Sequence, residues 1–352
     1  MRFASDNWAG ASEPVIAALA EAARRGGPAY GGDDLTKGVE ARFAEIFERE
    51  VAVFLVASGT AANALGISAY ARPGGIVLCH REAHINVDEA GATPLFGGGL
   101  MLRGIAGEGG KLTTEALSDA LAEIPEGFIH AGQPVALSLT QLTELGTAYS
   151  PAEVAALAEV AKGRQAAVHI DGARFAGAIA SLGVSPADIT WRAGVDALSF
   201  GGTKNGCIAA EAVVFFNPEH ARQFGFARQR AGQGLSKNWF IAAQFDAYFR
   251  DEHWLDLARH SNRMGARLAA AIRQSGKARL AVEPAANEVF AVLPCPVAER
   301  LRAAGAGYHP WSAESVPADA RPHRDEMLIR LVTSWQTPPE DVDGFAAVLA
   351  AG

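Results

Sequence analysis

The chain has 352 residues, 49% hydrophobic and 20% charged, a balance that suits a globular protein with room for one large and one small domain. Lys and Arg number 31 against 39 Asp and Glu, so the net charge is −8, and neither a nucleic acid nor an anionic membrane surface is an expected partner. No apolar run of about 18 residues and no signal-like N-terminus occurs, and Cys79, Cys207 and Cys295 are too dispersed for a disulfide framework or a zinc site, which fits a reducing cytoplasm.

In chain order, Ser12 is a plausible N-cap with Pro14 in the first turn of a helix over Glu13 to Arg25, ended by Gly26-Gly27. A polar loop, Tyr30-Gly31-Gly32-Asp33-Asp34, leads to a second helix over Leu35 to Phe47, with Val39, Phe43, Ile46 and Phe47 at helical spacing. Val51 to Val56 is almost continuously apolar, as a strand buried on both faces of a parallel sheet would be. Strands at Ile76 to Cys79, Val135 to Leu139, Ala166 to Ile170, Ala197 to Phe200 and Val213 to Phe216 then alternate with helices at Glu115 to Leu121, Ala152 to Ala161 and Ala173 to Ser181. Such alternation predicts βαβ units, an α/β fold, and ligands at the carboxyl ends of the strands.

From Ser236 to about Gln274 the pattern is helical and rich in aromatics, Trp239, Phe245, Tyr248, Phe249 and Trp254 among them, which suit a core or a subunit interface. Shorter strands at Glu288 to Leu293 and Met327 to Val332 and a last helix at Val342 to Leu349 follow, and the segments near Pro310 and Pro317 read as a surface loop. The expected division is an N-terminal arm and large domain over 1–243 and a smaller α+β domain over 244–352.

Polar residues gather at the predicted strand ends. Ser199-Phe200-Gly201-Gly202-Thr203-Lys204-Asn205-Gly206 sets a lone lysine at the mouth of a buried strand. A desolvated lysine is a nucleophile of the kind Schiff-base chemistry needs, although a solvated lysine in a glycine-rich turn has the same sequence. The two glycines there would let the backbone pass close to a planar cofactor. Ser58-Gly59-Thr60 opens a helix directly after a strand, a phosphate cup or a simple N-cap. His169-Ile170-Asp171-Gly172-Ala173-Arg174 offers a carboxylate that could hold a pyridine nitrogen protonated, as pyridoxal phosphate (PLP) requires, or a structural ion pair. His84, just past another strand, suits stacking on a ring, acid–base work or a merely structural role. No metal-ligand spacing and no G-x-G-x-x-G appears, which argues against a metal site and a nicotinamide dehydrogenase.

These runs, together with Phe3-Ala4-Ser5-Asp6-Asn7, Ala29-Tyr30-Gly31-Gly32-Asp33 and Asp88-Glu89, resemble the threonine aldolases of the aromatic amino acid β-eliminating lyase/threonine aldolase group over nearly the whole chain. The resemblance implies a fold-type I PLP-dependent transferase-like architecture, with a mostly parallel seven-stranded sheet in the large domain. It implies PLP joined to Lys204, its ring nitrogen on Asp171 and its face on His84. Ser58, Gly59 and Thr60 would hold the phosphate, Arg174 the ring or the substrate, and Arg230 would approach the phosphate. Ser5 and Arg330 would hold the substrate carboxylate, and Tyr30 would be lent by a neighbouring subunit of a homotetramer with active sites at dimer interfaces. The implied reaction is retro-aldol cleavage of a β-hydroxy amino acid, threonine or allo-threonine, to glycine and acetaldehyde. Phenylserine cleavage or another PLP-dependent lyase reaction is the alternative, and a non-catalytic binding protein of the same fold a remote one. One stretch departs from the group. Many members carry a Glu-Asn-Thr-His run where this chain has Thr140-Gln141-Leu142-Thr143-Glu144, so Thr143 replaces that His and His84 is left as the candidate base.

Overall fold

In the computed structural model, which describes residues 1–351, the first helices begin where their caps predict. Ser12 precedes α1 (Glu13–Arg25), and Gly26, with φ of 61°, ends it. Asp33 accepts a hydrogen bond from the Thr36 backbone and so starts α2 (Asp34–Ile46). The large-sheet region then alternates as β1 (Ala52–Val56), α3 (Gly59–Ser68), β2 (Ile76–His80), α4 (His84–Val87), α5 (Ala92–Phe96), β3 (Met101–Ile105), α6 (Thr114–Ala122), β4 (Pro134–Thr140), α7 (Pro151–Gly163), β5 (Ala167–Gly172), α8 (Phe175–Leu182), β6 (Ala197–Gly201) and β7 (Glu211–Phe215). Beyond them lie α9 (Phe224–Arg230), α10 (Trp239–Phe249), α11 (His253–Ser275), β8 (Arg279–Leu280), β9 (Glu288–Pro294), α12 (Cys295–Ala303), β10 (His309–Pro310), β11 (Glu326–Val332) and α13 (Pro339–Ala350).

The large sheet has seven strands in the order β1-β7-β6-β5-β4-β2-β3. Only β7 runs against the rest, so the sheet is mostly parallel, as expected. Helices cover both faces, which is why its strands read as apolar runs rather than alternating ones. On β6, Leu198 and Phe200 face the core built with α2, α8 and α10, whereas Ala197 faces the one built with α3 and α9. Because β7 alone is reversed, the carboxyl ends of β1, β2, β4, β5 and β6 meet along one edge, where the site lies.

Several expectations change. β1 is an edge strand whose neighbour β7 is antiparallel, not a strand inside a parallel array. The long helical region is two helices, α10 and α11, broken where Asp251 and Glu252 take φ of 52° and 55°. β3 and α12 were not predicted. Tyr248, Phe249, Trp254 and Phe245 are core residues, packed around Phe200 and Phe43. The segment near Pro310 is partly a strand, since β10 pairs with β11.

The second sheet, β10-β11-β9-β8, is antiparallel throughout. The N-terminal arm belongs to it: Phe3 is buried in its core, and Val332 N donates to Phe3 O at 2.7 Å. Among the described residues, no helix is long and apolar enough to cross a membrane.

Candidate active site

Lys204 sits in a single 3-10 turn, Thr203–Asn205, at the carboxyl end of β6. Its neighbours fix the turn. The Asn205 amide donates to Tyr248 Oη at 2.7 Å and to Trp254 O at 2.8 Å. Thr203 Oγ1 accepts from Ala210 N at 3.2 Å. Two residues upstream of the glycines' end, Phe200 packs edge-on against Phe43 at 5.3 Å and against Phe245 and Phe249. The two glycines before Lys204 are required by the fold itself. A Cβ on Gly201 would lie 2.6 Å from Ala173 O, and one on Gly202 2.8 Å from Ala210 O. They make room for neighbouring backbone.

A chain of hydrogen bonds crosses the adjacent strand ends. Asp171, at the end of β5, accepts from Ala173 N at 3.0 Å through Oδ1 and from Asn63 Nδ2 at 2.8 Å through Oδ2. The same Asn63 amide donates to Glu89 Oε1 at 2.8 Å. Glu89 Oε1 also accepts from His84 Nδ1 at 2.8 Å. That bond, more than burial opposes it, raises the His84 pKa and favours its protonated ring. Burial raises the carboxyl of Glu89. The sequence alone assigns neither Asn63 nor Glu89 a role. Their function is visible only once α3 brings Asn63 between two carboxylates. His169, in the same run as Asp171, is held beneath the sheet between Ser138 and Ser199 hydroxyls, and burial pushes it down to about 4.

Two arginines face the same cavity differently. Arg174 grips Asp6 through Nε at 2.7 Å and Nη2 at 3.0 Å, and its Nη1 is 3.2 Å from Glu288. Burial opposes ionisation of Asp6, but the charges of Arg174 and Lys204 and the hydrogen bonds from Arg174 and Asn287 together outweigh it and hold that carboxyl low. Arg174 is therefore committed to two protein carboxylates, Asp6 and Glu288, and the structural ion pair with Asp171 that the run allowed is replaced by these. Arg330, on β11, lies over the Trp311 ring at 4.4 Å and donates only to Ala4 O at 3.3 Å, while its Nε is buried without a partner. Burial lowers the Arg330 pKa, as expected for a cation lacking its anion. Ser5 lines the cavity beside it and accepts from Asn7 N at 3.1 Å.

Ser58 caps α3, with Oγ accepting from Ala61 N at 3.3 Å. A Cβ on Gly59 would meet nothing within 4 Å, so the helix N-terminus opens onto free space. Ser58, Gly59 and Thr60 line one cavity of about 1070 Å³ with His84, Asp171 and Lys204. Arg330, Arg174 and Ser5 share that cavity. Two expected residues do not reach it. Arg230 is exposed at the end of α9, away from the cavity wall. Tyr30 is 65% exposed with φ of 58°, and its own cavity is out of its reach.

The sequence missed two carboxylates. Glu144 and Glu211 line the cavity, and burial pushes each up to about 7. Glu211 is tied to the Thr203 backbone N–H at 3.4 Å, directly beside Lys204. Thr143, in contrast, is buried on Gly109 O and Thr147 Oγ1, off the cavity wall.

The donor set fits PLP. An open helix N-terminus suits a phosphate, a buried carboxylate with a fixed oxygen suits a pyridinium, and a lysine shares their cavity. The unpartnered Arg330 Nε suits a substrate carboxylate.

Known proteins resemble the whole chain. The β-eliminating lyase family profile matches residues 2–295. A low specificity L-threonine aldolase of Pseudomonas aeruginosa is 38% identical over 345 residues, spanning 98% of this chain and 96% of that protein. Another, from Pseudomonas sp., is 34% identical over 99% of this chain and 97% of its own length. The solved structure of the Leishmania major threonine aldolase superposes with a TM-score of 0.91 at 25% identity, covering 99% of this chain and 98% of that one. The chain accordingly belongs to the β-eliminating lyase family of fold-type I, PLP-dependent enzymes, on the branch of the threonine aldolases.

Proposed function

We propose that this chain is a PLP-dependent aldehyde-lyase that cleaves L-threonine and L-allo-threonine to glycine and acetaldehyde. The observation that carries the reading is the meeting, in one cavity, of Lys204 and Asp171 with the guanidinium of Arg330, whose buried Nε has no partner. Ser58, Gly59 and Thr60 would hold the phosphate of PLP, Asp171 its ring nitrogen, His84 its face and Lys204 its carbonyl carbon. Bound there, PLP supplies the electron sink for the pair released at Cα when the Cα–Cβ bond breaks.

The chain's own residues do the rest. Arg330 receives the substrate carboxylate in a bidentate grip, with Ser5 beside it. Arg174 acts through others: by tying Asp6 to Glu288 it fixes the arm that carries Ser5. Asn63 keeps the Asp171 carboxylate oriented, and Glu89 holds His84 through Nδ1 and favours its protonated form. Pro310, Trp311 and Leu142 give the cavity an apolar wall, which favours a second substrate class, phenylserine-like amino acids with a bulky Cβ group. Exposed Tyr30 and Arg230 suit a homotetramer in which each subunit completes its neighbour's site, and the cytoplasm is the expected compartment. The test is a product assay on threonine. Acetaldehyde and glycine in equal amounts support the reading; 2-oxobutanoate and ammonia identify an elimination instead.

A further inference from the structure

Cleavage needs a group to take the proton from the substrate's β-hydroxyl. Thr143 is off the cavity wall, and His84, whose Nδ1 is bonded to Glu89, is shifted by that bond toward its protonated, non-basic form. Glu144 lines the cavity. Its Oε1 is held by two donors, the His84 backbone N–H at 2.9 Å and Thr140 Oγ1 at 2.8 Å. Its Oε2 is buried and has no partner. A buried polar atom left unpaired calls for a missing hydrogen-bonding group, and a hydroxyl is the group that a carboxylate oxygen accepts from. We infer that Glu144 is the catalytic residue that accepts the β-hydroxyl proton, its free Oε2 receiving the substrate while Thr140 and the start of α4 aim it. The inference rests on the aldolase reading above.

The step balances. The Glu144 carboxylate takes the hydroxyl proton, and the O–H pair becomes the second carbon–oxygen bond of acetaldehyde. The Cα–Cβ bond breaks, and its pair, left at Cα, is held by the cofactor until a proton joins Cα to give glycine. Threonine becomes glycine plus acetaldehyde with no other reactant. Burial, aided by the nearby Asp171 carboxylate on β5, holds the Glu144 carboxyl at about 7 against the opposing bonds of Thr140 and His84 N. Cys79 of β2 and Tyr149, before α7, also face it, and burial holds both protonated. The base must be ionised, so kcat/KM for cleavage rises with pH through about 7.

Glu82 is the rival, since it lines the cavity and its Oε2 is buried and unpartnered too. No donor fixes its other oxygen as two fix that of Glu144.

The experiment compares wild type, Glu144→Gln, Glu144→Asp and Glu82→Gln, each loaded with PLP. It reads threonine cleavage against pH, visible absorption, and exchange of the glycine Cα proton in D₂O by NMR. Glycine has no β-hydroxyl, so its exchange bypasses Glu144. Glu144→Gln should lose about 10²–10⁴-fold in cleavage and the limb near 7, yet keep the absorption band and glycine exchange. Glu144→Asp should regain part of the rate with a pH limb. Cleavage unchanged in Glu144→Gln, equal loss of cleavage and glycine exchange, or the loss appearing in Glu82→Gln instead would each overturn the inference. A wild type that exchanges glycine but releases no acetaldehyde overturns the aldolase reading and this inference with it.

Discussion

Arg330 and Arg174 show how two identical side chains in one cavity take different work. Arg174 has two carboxylates and cannot leave them without exposing buried charge. Arg330 has a buried Nε with nothing to bond. Arg330→Met should therefore weaken the substrate step alone: kcat/KM for threonine falls at least about 30-fold, the equivalent of about 2 kcal/mol for an unpaired carboxylate, while PLP absorption is kept. A steady-state assay with a spectrum of the same sample checks both. The sequence singled out both arginines but could not divide their roles. The partner of Arg174 is Asp6, 168 residues away, and no local spacing announces that pair. Glu144 was illegible for a similar reason. Nothing in Thr140-Gln141-Leu142-Thr143-Glu144 says which of the two polar residues at its end points inward, and the backbone turns Thr143 into the core and Glu144 to the cavity.

At the scale of elements, what the sequence made legible was what local chemistry dictates. Caps and apolar periodicity placed α1, α2, β4, β5 and β6, whose burial on both faces leaves an unbroken apolar run. β3 escaped because it is a half-exposed edge strand, Met101-Leu102-Arg103-Gly104-Ile105, with a charge and a glycine inside it. The break between α10 and α11 escaped because Arg250, Asp251 and Glu252 are ordinary helix residues, and only tertiary packing forces the left-handed turn. Arg174, N-cap of α8, ties three elements together: the 3-10 turn at Asp6, β9 at Glu288, and β5 just upstream. Arg174→Met leaves two buried carboxylates without a counter-ion and should cost about 3–5 kcal/mol of stability. Thermal unfolding of the PLP-free protein checks it, and a change within experimental error would show that the pairs are dispensable.

For the whole molecule, the carboxyl ends of the six strands other than the reversed β7 share an edge, and the second sheet brings β10 and β11 to that edge with Trp311 and Arg330. The site is thus split between two sheets and closed by the N-terminal arm. Tyr30 lies outside its own cavity, so if neighbours complete each site, mixing Tyr30→Ala with Lys204→Ala subunits should restore cleavage that neither shows alone. Hybrid activity no greater than the sum of the two separate proteins would argue for self-sufficient chains. In the proposed function, Lys204 at the end of β6 is the group through which PLP performs threonine cleavage. The most direct test of that role follows the visible spectrum and acetaldehyde release of wild type and Lys204→Ala after identical loading with PLP. The wild type should show the absorption of PLP bound to lysine and release acetaldehyde from threonine, and Lys204→Ala should lose both together. Full turnover by Lys204→Ala would contradict the account.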